Sequence, residues 1–117
     1  MSAAAENEHT ISIKSHEAEV LEELVLKYKV NTALEIGLAY GGSAMTMLGA
    51  RSELKLTSCD PFQQEDYQNS GLSKIANAGF QSRHTYIKAL SDQALPELLS
   101  EGKTFDLIFI DGHTLSS

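Results

Sequence analysis

The 117-residue sequence predicts an α/β fold built around a parallel β-sheet with helices on both of its faces. Short apolar runs alternate with helix-forming segments along the chain, as strands and crossover helices do in such sheets. The last run, Phe105–Ile110, is almost continuously apolar, as expected of a strand buried on both faces. The first run, Ala33–Ile36, leads into a glycine-rich segment that predicts a tight turn into a helix.

The composition is that of a globular domain and argues against several classes of protein. The chain is 42% hydrophobic and has 16 acidic against 9 basic residues, so neither a nucleic-acid-binding surface nor attraction to an anionic membrane is expected. No stretch reaches the roughly 18–20 apolar residues of a membrane span. The first residues lack the basic and apolar regions of a secretory signal, and the single cysteine, Cys59, cannot form an internal disulfide. We therefore expect a cytoplasmic protein.

The N-terminal part of the chain predicts a flexible segment followed by an amphipathic helix. Residues 1–14 are polar and are expected to form a flexible N-terminus ahead of a domain over residues 15–117. From Ser15, its predicted N-cap, apolar residues recur at helical spacing up to Asn31–Thr32. The predicted apolar stripe of this helix comprises Val20, Leu21, Leu24, Val25 and Tyr28.

The rest of the chain predicts four strands and three further helices. The strands are predicted over Ala33–Ile36, Leu54–Cys59, His84–Leu90 and Phe105–Ile110. The helices are predicted from Gly42 or Ser43 to Gly49, over Leu72–Ala78 and over Leu95–Ser100. The last helix is expected to begin next to Pro96, because proline is tolerated only near a helix start. Residues 63–70 are polar and predict a loop.

Three acidic residues fall at the carboxyl ends of predicted strands: Glu35, Asp60 and Asp111. In an open parallel sheet these ends line one crevice, where ligands bind. A carboxylate in a central strand is costly to desolvate, so Glu35 indicates a site, unless it reaches the rim and meets only water or a cation. Asp60 lies 23 residues after Gly37, a spacing typical of an acid that binds ribose hydroxyls; the alternative is a turn-forming Asp before Pro61.

Three segments together resemble class I S-adenosylmethionine-dependent methyltransferases. They are Glu35–Ser43, Ser58–Phe62 and Phe105–His113, and the likeness is greatest to the small-molecule O-methyltransferase-like branch. The likeness runs from about residue 20 to the end of the chain. It implies a Rossmann-like sheet with strand order 3-2-1-4, truncated after strand four. The chain is therefore expected to be a fragment that holds the cofactor half, with a small-molecule methyl acceptor bound mostly elsewhere.

The resemblance also implies roles for individual residues. Glu35 and the loop of Gly37, Ala39, Gly41 and Gly42 would hold the methionine part of S-adenosylmethionine, with Ser43 near its carboxylate. Asp60 would bind the ribose, Pro61 and Phe62 would flank the adenine, and Ser91 and Asp92 would meet the adenine edge. Asp111 would lie beneath the sulfonium and the acceptor, and it is a candidate ligand for a divalent metal. Ala39 departs from the usual glycine of this loop.

His113 is the candidate general base, because a histidine can take a proton from an acceptor hydroxyl near neutral pH. The alternatives are a ring that caps the strand end and a disordered terminal residue. His9, His16 and His84 are assigned no role. Asp111 and His113 are thus the two predicted catalytic residues.

Two other functions stay open at this point. Gly37-x-Ala39-x-x-Gly42 also fits a loose NAD or FAD dinucleotide motif, although Glu35 would repel a pyrophosphate. The chain could instead be a catalytically inert half-domain. In addition, strand order 3-2-1-4 would leave strand four at an edge, and an exposed apolar edge predicts self-association.

Overall fold

The computed structural model describes residues 15–110, in which four strands alternate with five helices. The helices are α1 (Ser15–Lys27), α2 (Gly42–Ala50), α3 (Gln63–Tyr67), α4 (Ser70–Asn77) and α5 (Ser91–Ser100), with a 3-10 turn over Gln81–Arg83. The strands are β1 (Thr32–Ile36), β2 (Lys55–Cys59), β3 (His84–Ile87) and β4 (Leu107–Ile110). In this part of the chain no helix has the length and apolar character needed to cross a bilayer. The predicted flexible N-terminus, residues 1–14, lies outside the described residues.

The four strands form one parallel sheet in the order β3-β2-β1-β4, which confirms the predicted fold class and strand order. β1 lies between β2 and β4, and its Glu35 is the register partner of Ser58 on β2 and of Phe109 on β4. The carboxyl ends of all four strands therefore point the same way, and β4 forms one edge of the described sheet.

The two faces of the sheet bury separate hydrophobic clusters. Leu34 and Ile36 belong to the cluster that includes Ala94 and Leu98 of α5. Ala33 belongs to a larger cluster on the opposite face, with residues of α1, α2 and α4. Successive strand residues point to opposite faces, so Glu35 lies on the same face as α2. Helices therefore cover both faces, as predicted.

The predicted apolar stripe of α1 is only partly right. Leu21 and Val25 are buried against the sheet, whereas Val20 is 39% and Tyr28 64% exposed. The helix packs on one side only, and positions four apart on that side share one line of contact. Val20 and Tyr28 are also separated by a multiple of four residues, so the spacing of apolar residues in the sequence does not show which of the two lines faces the core.

Residues 63–70 were predicted to form a loop, and this prediction is wrong. They contain helix α3, a left-handed turn at Gln68 and Asn69, and the start of α4. Helix α3 has no apolar stripe, and the residue that it buries is the polar Gln63. Hydrogen bonds of that polar side chain fasten the helix, and hydrophobic periodicity gives no sign of them.

The third crossover is also longer than predicted. β3 ends at Ile87 rather than Leu90, and α5 begins at Ser91 rather than Leu95. The carbonyl of Leu90 accepts hydrogen bonds from the N–H groups of Gln93 and Ala94 at 3.0 and 2.9 Å, so the helix is established before Pro96. Proline removes one helical hydrogen bond, and here it lies on the exposed side of the helix.

Candidate functional site

The candidate site lies at the carboxyl ends of β1, β2 and β3. The backbone hydrogen bonds between neighbouring strands continue one residue beyond the ends of β1 and β2. Gly37 N–H donates to Cys59 O at 2.8 Å, and Asp60 N–H donates to Ile87 O at 3.0 Å. The residues predicted to follow β1 and β2 are therefore held side by side. Asp111 and His113 lie outside the described residues, so their predicted catalytic and metal roles stay predictions.

The segment from Gly37 to Gly41, here called the ligand loop, is built from left-handed backbone. Gly37, Ala39 and Gly41 have φ angles of 93°, 50° and 89°. Ala39 stands where the family's loop usually has a glycine, and its left-handed conformation costs about 1–2 kcal/mol for a residue with a Cβ. The loop therefore depends on its surroundings to keep this shape.

Helix α2 begins directly after the ligand loop and its N-terminus has no side-chain cap among the described residues. Gly41 occupies the N-cap position, and Gly42 in the first turn is exposed. The N–H groups of a helix's first turn carry partial positive charge and bind anions. The first turn of α2 can therefore bind an anionic group at the carboxyl end of β1.

Glu35 lies fully buried beneath this helix start, at 0% exposure. The hydroxyl groups of Ser43 on α2 and Ser58 on β2 both donate hydrogen bonds to its carboxylate, the latter at 2.8 Å. These bonds offset the cost of desolvating the carboxylate. Glu35 is therefore bonded to hydroxyls within the protein rather than reaching water at the rim.

His84 extends this arrangement, although it was assigned no role from the sequence. Its Nε2 lies 2.9 Å from Ser58 Oγ. Because the only hydroxyl proton of Ser58 goes to Glu35, the geometry assigns the Nε2–H tautomer, with His84 as donor. Burial lowers the pKa of His84 to about 4 from its usual 6.5, so the ring is neutral at pH 7. Its position at the start of β3 gave no sign that the side chain reaches Ser58.

Asp60 anchors the ligand loop. Its Oδ2 accepts hydrogen bonds from the N–H groups of Leu38 and Ala39 at 3.1 and 3.2 Å. Its Oδ1 accepts from the N–H of Phe62 at 2.9 Å, the turn that an Asp forms with the residue two positions on. The turn-forming interpretation of Asp60 therefore describes one of its contacts, and the predicted ribose role stays a prediction.

Gln63 is a site residue that sequence reasoning missed. It is fully buried, and its Nε2 donates to Ala39 O at 3.0 Å and to Asp60 Oδ2 at 3.2 Å. Its Oε1 accepts from the N–H of Gly71 at 2.7 Å. One amide thus joins the ligand loop, Asp60 and helix α4, and no sequence pattern marks a glutamine for this position.

The other predicted ligand-binding residues lie at the same end of the sheet. Pro61 is half-buried and Phe62 is 50% exposed ahead of α3. Ser91 is half-buried and Asp92 exposed in the first turn of α5, which follows β3. The ends of three neighbouring strands, together with the loops and helix starts that follow them, therefore supply all of the predicted residues that the structure describes.

Two further titratable groups at this end are held neutral. Burial, and secondarily the charge of Glu35, raises the pKa of the Cys59 thiol. Burial raises the pKa of Tyr86 as well, with Asp60 and Glu65 adding to the effect, and the Tyr86 hydroxyl donates to Asp60 O at 2.7 Å. Within residues 15–110 no group of three or more His, Cys, Asp or Glu side chains is arranged to hold a metal ion.

Comparisons with known proteins identify the family. Residues 34–117 match the family model described as a methyltransferase domain. The fold is similar to TomG, an O-methyltransferase of Streptomyces achromogenes involved in tomaymycin synthesis, at a TM-score of 0.74 and 22% identity over 86% of this chain and 45% of TomG. An O-methyltransferase of Bacillus cereus has a TM-score of 0.73 and 24% identity, over 92% of this chain and 49% of its own. The Podospora anserina methyltransferase PaMTH1 has a TM-score of 0.74 and 19% identity, over 89% of this chain and 46% of its own.

The solved structures share the fold, and this chain spans about half of their length. No curated protein matches the sequence. The family model covers most of the chain, from Leu34 within β1 through the ligand loop and β2. The chain therefore belongs to the methyltransferase domain family.

Proposed function

We propose that this chain is the cofactor-binding part of an S-adenosylmethionine-dependent methyltransferase that O-methylates a small molecule. The observation that carries the proposal is the uncapped first turn of α2, which follows the left-handed ligand loop and lies over the buried Glu35. Such a turn suits the carboxylate of an amino-acid ligand. S-adenosylmethionine supplies a methyl group on a positively charged sulfur, and the nearby carboxylates suit that charge.

The described residues offer a contact for each part of this ligand. The first turn of α2 would receive its carboxylate, and Asp60 Oδ1, which has a single donor within residues 15–110, would accept a ribose hydroxyl. The half-exposed ring of Phe62 would pack on the adenine, and Ser91 and Asp92 would meet its edge. In methyl transfer much of the rate comes from positioning donor and acceptor. These residues would therefore serve mainly to bind and orient.

The similar proteins support the choice of ligand. TomG was solved with S-adenosylmethionine and the Bacillus cereus protein with S-adenosylhomocysteine. We further propose that Asp111 lies beside the reacting groups, with a divalent cation as one partner, and that His113 takes the acceptor's proton. The acidic balance of the chain and its free, buried Cys59 favour a small-molecule acceptor and a reducing, cytoplasmic setting over nucleic acid or membrane.

Isothermal titration with S-adenosylmethionine, S-adenosylhomocysteine and NAD tests the proposal. We expect both sulfur ligands to bind and NAD to give no signal, because the proposed contacts are those of an amino-acid carboxylate, a ribose and an adenine. Binding of NAD alone would instead establish a dinucleotide domain. Absence of binding by all three would favour an inert half-domain.

A matched pair of variants tests the anion site at α2. Gly42→Asp places a carboxylate in the first turn, where it would compete with the ligand's own carboxylate. Gly49→Asp makes the same change at the other, exposed end of the same helix. We expect Gly42→Asp to weaken S-adenosylhomocysteine binding about tenfold or more and Gly49→Asp to change it less than about twofold. Equal effects of the two would count against the α2 site.

A further inference from the structure

Gln63 makes four hydrogen bonds from a fully buried side chain, and each places the correct atom against its partner. The nitrogen faces two acceptors, Ala39 O and Asp60 Oδ2. The oxygen faces two donors, the N–H groups of Gly71 at 2.7 Å and Leu72 at 3.3 Å. A flipped amide would set donor against donor and acceptor against acceptor, so the side chain has one satisfied orientation.

The start of α4 lies directly against the ligand loop at this point. A Cβ on Gly71 would come within 2.7 Å of Ala39 O, 2.8 Å of Leu38 Cγ and 2.9 Å of Gln63 Oε1. A Cβ on Gly41 would lie 3.1 Å from Gly71 Cα. The backbone of the loop and the backbone of α4 therefore touch, with the Gln63 amide alongside the contact.

We propose that Gln63 is a positioning residue that makes the shape of the ligand loop depend on the docking of α4. The inference rests on the proposed function for the identity of the ligand. Gln63 lies in the middle of one continuous series of hydrogen bonds. The N–H of Gly71 donates to Gln63 Oε1, and Gln63 Nε2 donates to Asp60 Oδ2. Asp60 Oδ2 also accepts from the N–H groups of Leu38 and Ala39 in the ligand loop.

This series matters because the loop is strained at Ala39 and needs outside support. Asp60 Oδ2 has three donors, of which Gln63 is the one that does not belong to the loop. Loss of the Gln63 donor removes the bond that ties Asp60 Oδ2 to helix α3 and leaves Ala39 O without this partner, so the loop is then held to α4 by packing alone. Residues that bind the ligand would then lose their arrangement, although Gln63 itself need not touch it.

Substitution of Gln63 by glutamate, with a neighbouring control, tests the proposal. Gln63→Glu keeps an acceptor for Gly71 but replaces the donor with a charge that faces Asp60. Gln64→Glu makes the same chemical change on the exposed next residue of α3. We expect Gln63→Glu to weaken S-adenosylhomocysteine binding about tenfold or more, and Gln64→Glu less than about twofold. Equal binding by both variants would overturn the proposal.

Gln63→Met replaces Gln63→Glu as the test variant if the buried glutamate charge prevents folding. Methionine is uncharged, has a similar length and lacks the amide N–H donor of Gln63. Amide hydrogen exchange separates positioning from general destabilisation. In Gln63→Met we expect faster exchange at Leu38, Ala39 and Gly71, while amides in the β1–β2 ladder exchange as in the unsubstituted chain. Uniformly faster exchange throughout the sheet would mean that Gln63 is only structural and would overturn the proposal.

Exchange in the unsubstituted chain distinguishes the two proposals. S-adenosylhomocysteine should slow exchange at Gly71 as well as at Leu38 and Ala39, since Gln63 couples them. Slower exchange at the loop with no change at Gly71 would overturn the role of Gln63 and leave the ligand assignment intact. If the ligand does not bind, the proposed function fails, and the exchange pattern of Gln63→Met still decides whether Gln63 positions the loop.

Discussion

Ser58 on β2 donates a 2.8 Å hydrogen bond to Glu35 on β1, its register partner, and both side chains are fully buried. The parallel register sets the two residues side by side on the face that packs against α2. Ser43 on α2 donates to the same carboxylate, and His84 donates to Ser58. A buried acid under the start of α2 is thus held by hydroxyls from β2 and α2, and the β2 hydroxyl is bonded in turn to β3.

Removing the Ser58 hydroxyl should destabilise the fold. Ser58→Ala deletes a donor to a buried carboxylate and leaves the His84 N–H without this acceptor, so we expect a loss of about 1.5–3 kcal/mol in the free energy of unfolding. Urea denaturation at pH 7 measures it. Ser73→Ala, an exposed position on α4, should change the free energy by less than about 0.5 kcal/mol. Equal stability of both variants would contradict the buried hydrogen bond.

Stability should fall between pH 6.5 and pH 4 because of His84. Burial lowers the pKa of its ring to about 4 in the folded protein, from 6.5 when unfolded. The unfolded chain therefore binds more protons in this range, so the stability that His84 contributes is complete above pH 6.5 and is lost on acidification. With allowance for the partial exposure of the ring, we expect the His84 contribution to fall by about 1 kcal/mol between pH 7 and pH 5.

His84→Gln provides the reference for that measurement, since it removes the titrating ring and keeps every other ionisable side chain. The difference between urea-derived free energies at pH 7 and pH 5 should be larger for the unsubstituted chain than for His84→Gln. An identical pH dependence in the two proteins would mean that the ring is not held neutral by burial.

A methyl group at Gly71 should disturb the ligand loop. Gly71→Ala puts a Cβ 2.7 Å from the backbone oxygen of Ala39, and overpacking of this kind costs about 1–3 kcal/mol. Gly49→Ala is the control, because a Cβ there meets nothing within 4 Å and alanine favours a helix by up to about 1 kcal/mol. Urea denaturation should show opposite signs for the two substitutions, with weaker S-adenosylhomocysteine binding for Gly71→Ala alone. Tolerance of both would show that α4 does not press on the loop.

The 117-residue chain should self-associate through β4, which forms an edge of the described sheet and carries Ile108 at 44% exposure. Ile108→Lys should lower the association, because charged side chains on an edge strand oppose pairing. Thr85→Lys on the opposite edge strand, β3, is the matched control. Light scattering during size exclusion measures both. A sharp monomer peak at high concentration would contradict the prediction.

The sequence predicted the architecture well because it is set by local patterns. The apolar runs at Ala33–Ile36 and Phe105–Ile110, and the glycines between β1 and α2, predict strands and a tight turn without knowledge of neighbours. Helix α3 was missed because it depends on the Gln63 amide rather than on apolar spacing. The start of α5 was placed too late because Pro96 was given more weight than the turn that begins at Leu90.

The sequence alone thus determined the alternation of strands and helices, the motifs that resemble the family and the acids at the ends of β1 and β2, since residue type and spacing carry that information. The strand order followed from the resemblance. Tertiary structure decided what those acids contact: hydroxyls for Glu35 and loop amides for Asp60. It also brought Gln63 and Gly71 against the ligand loop. Hydrogen-bond partners far apart in sequence are fixed by how helices dock and by strand register, and no local pattern encodes them.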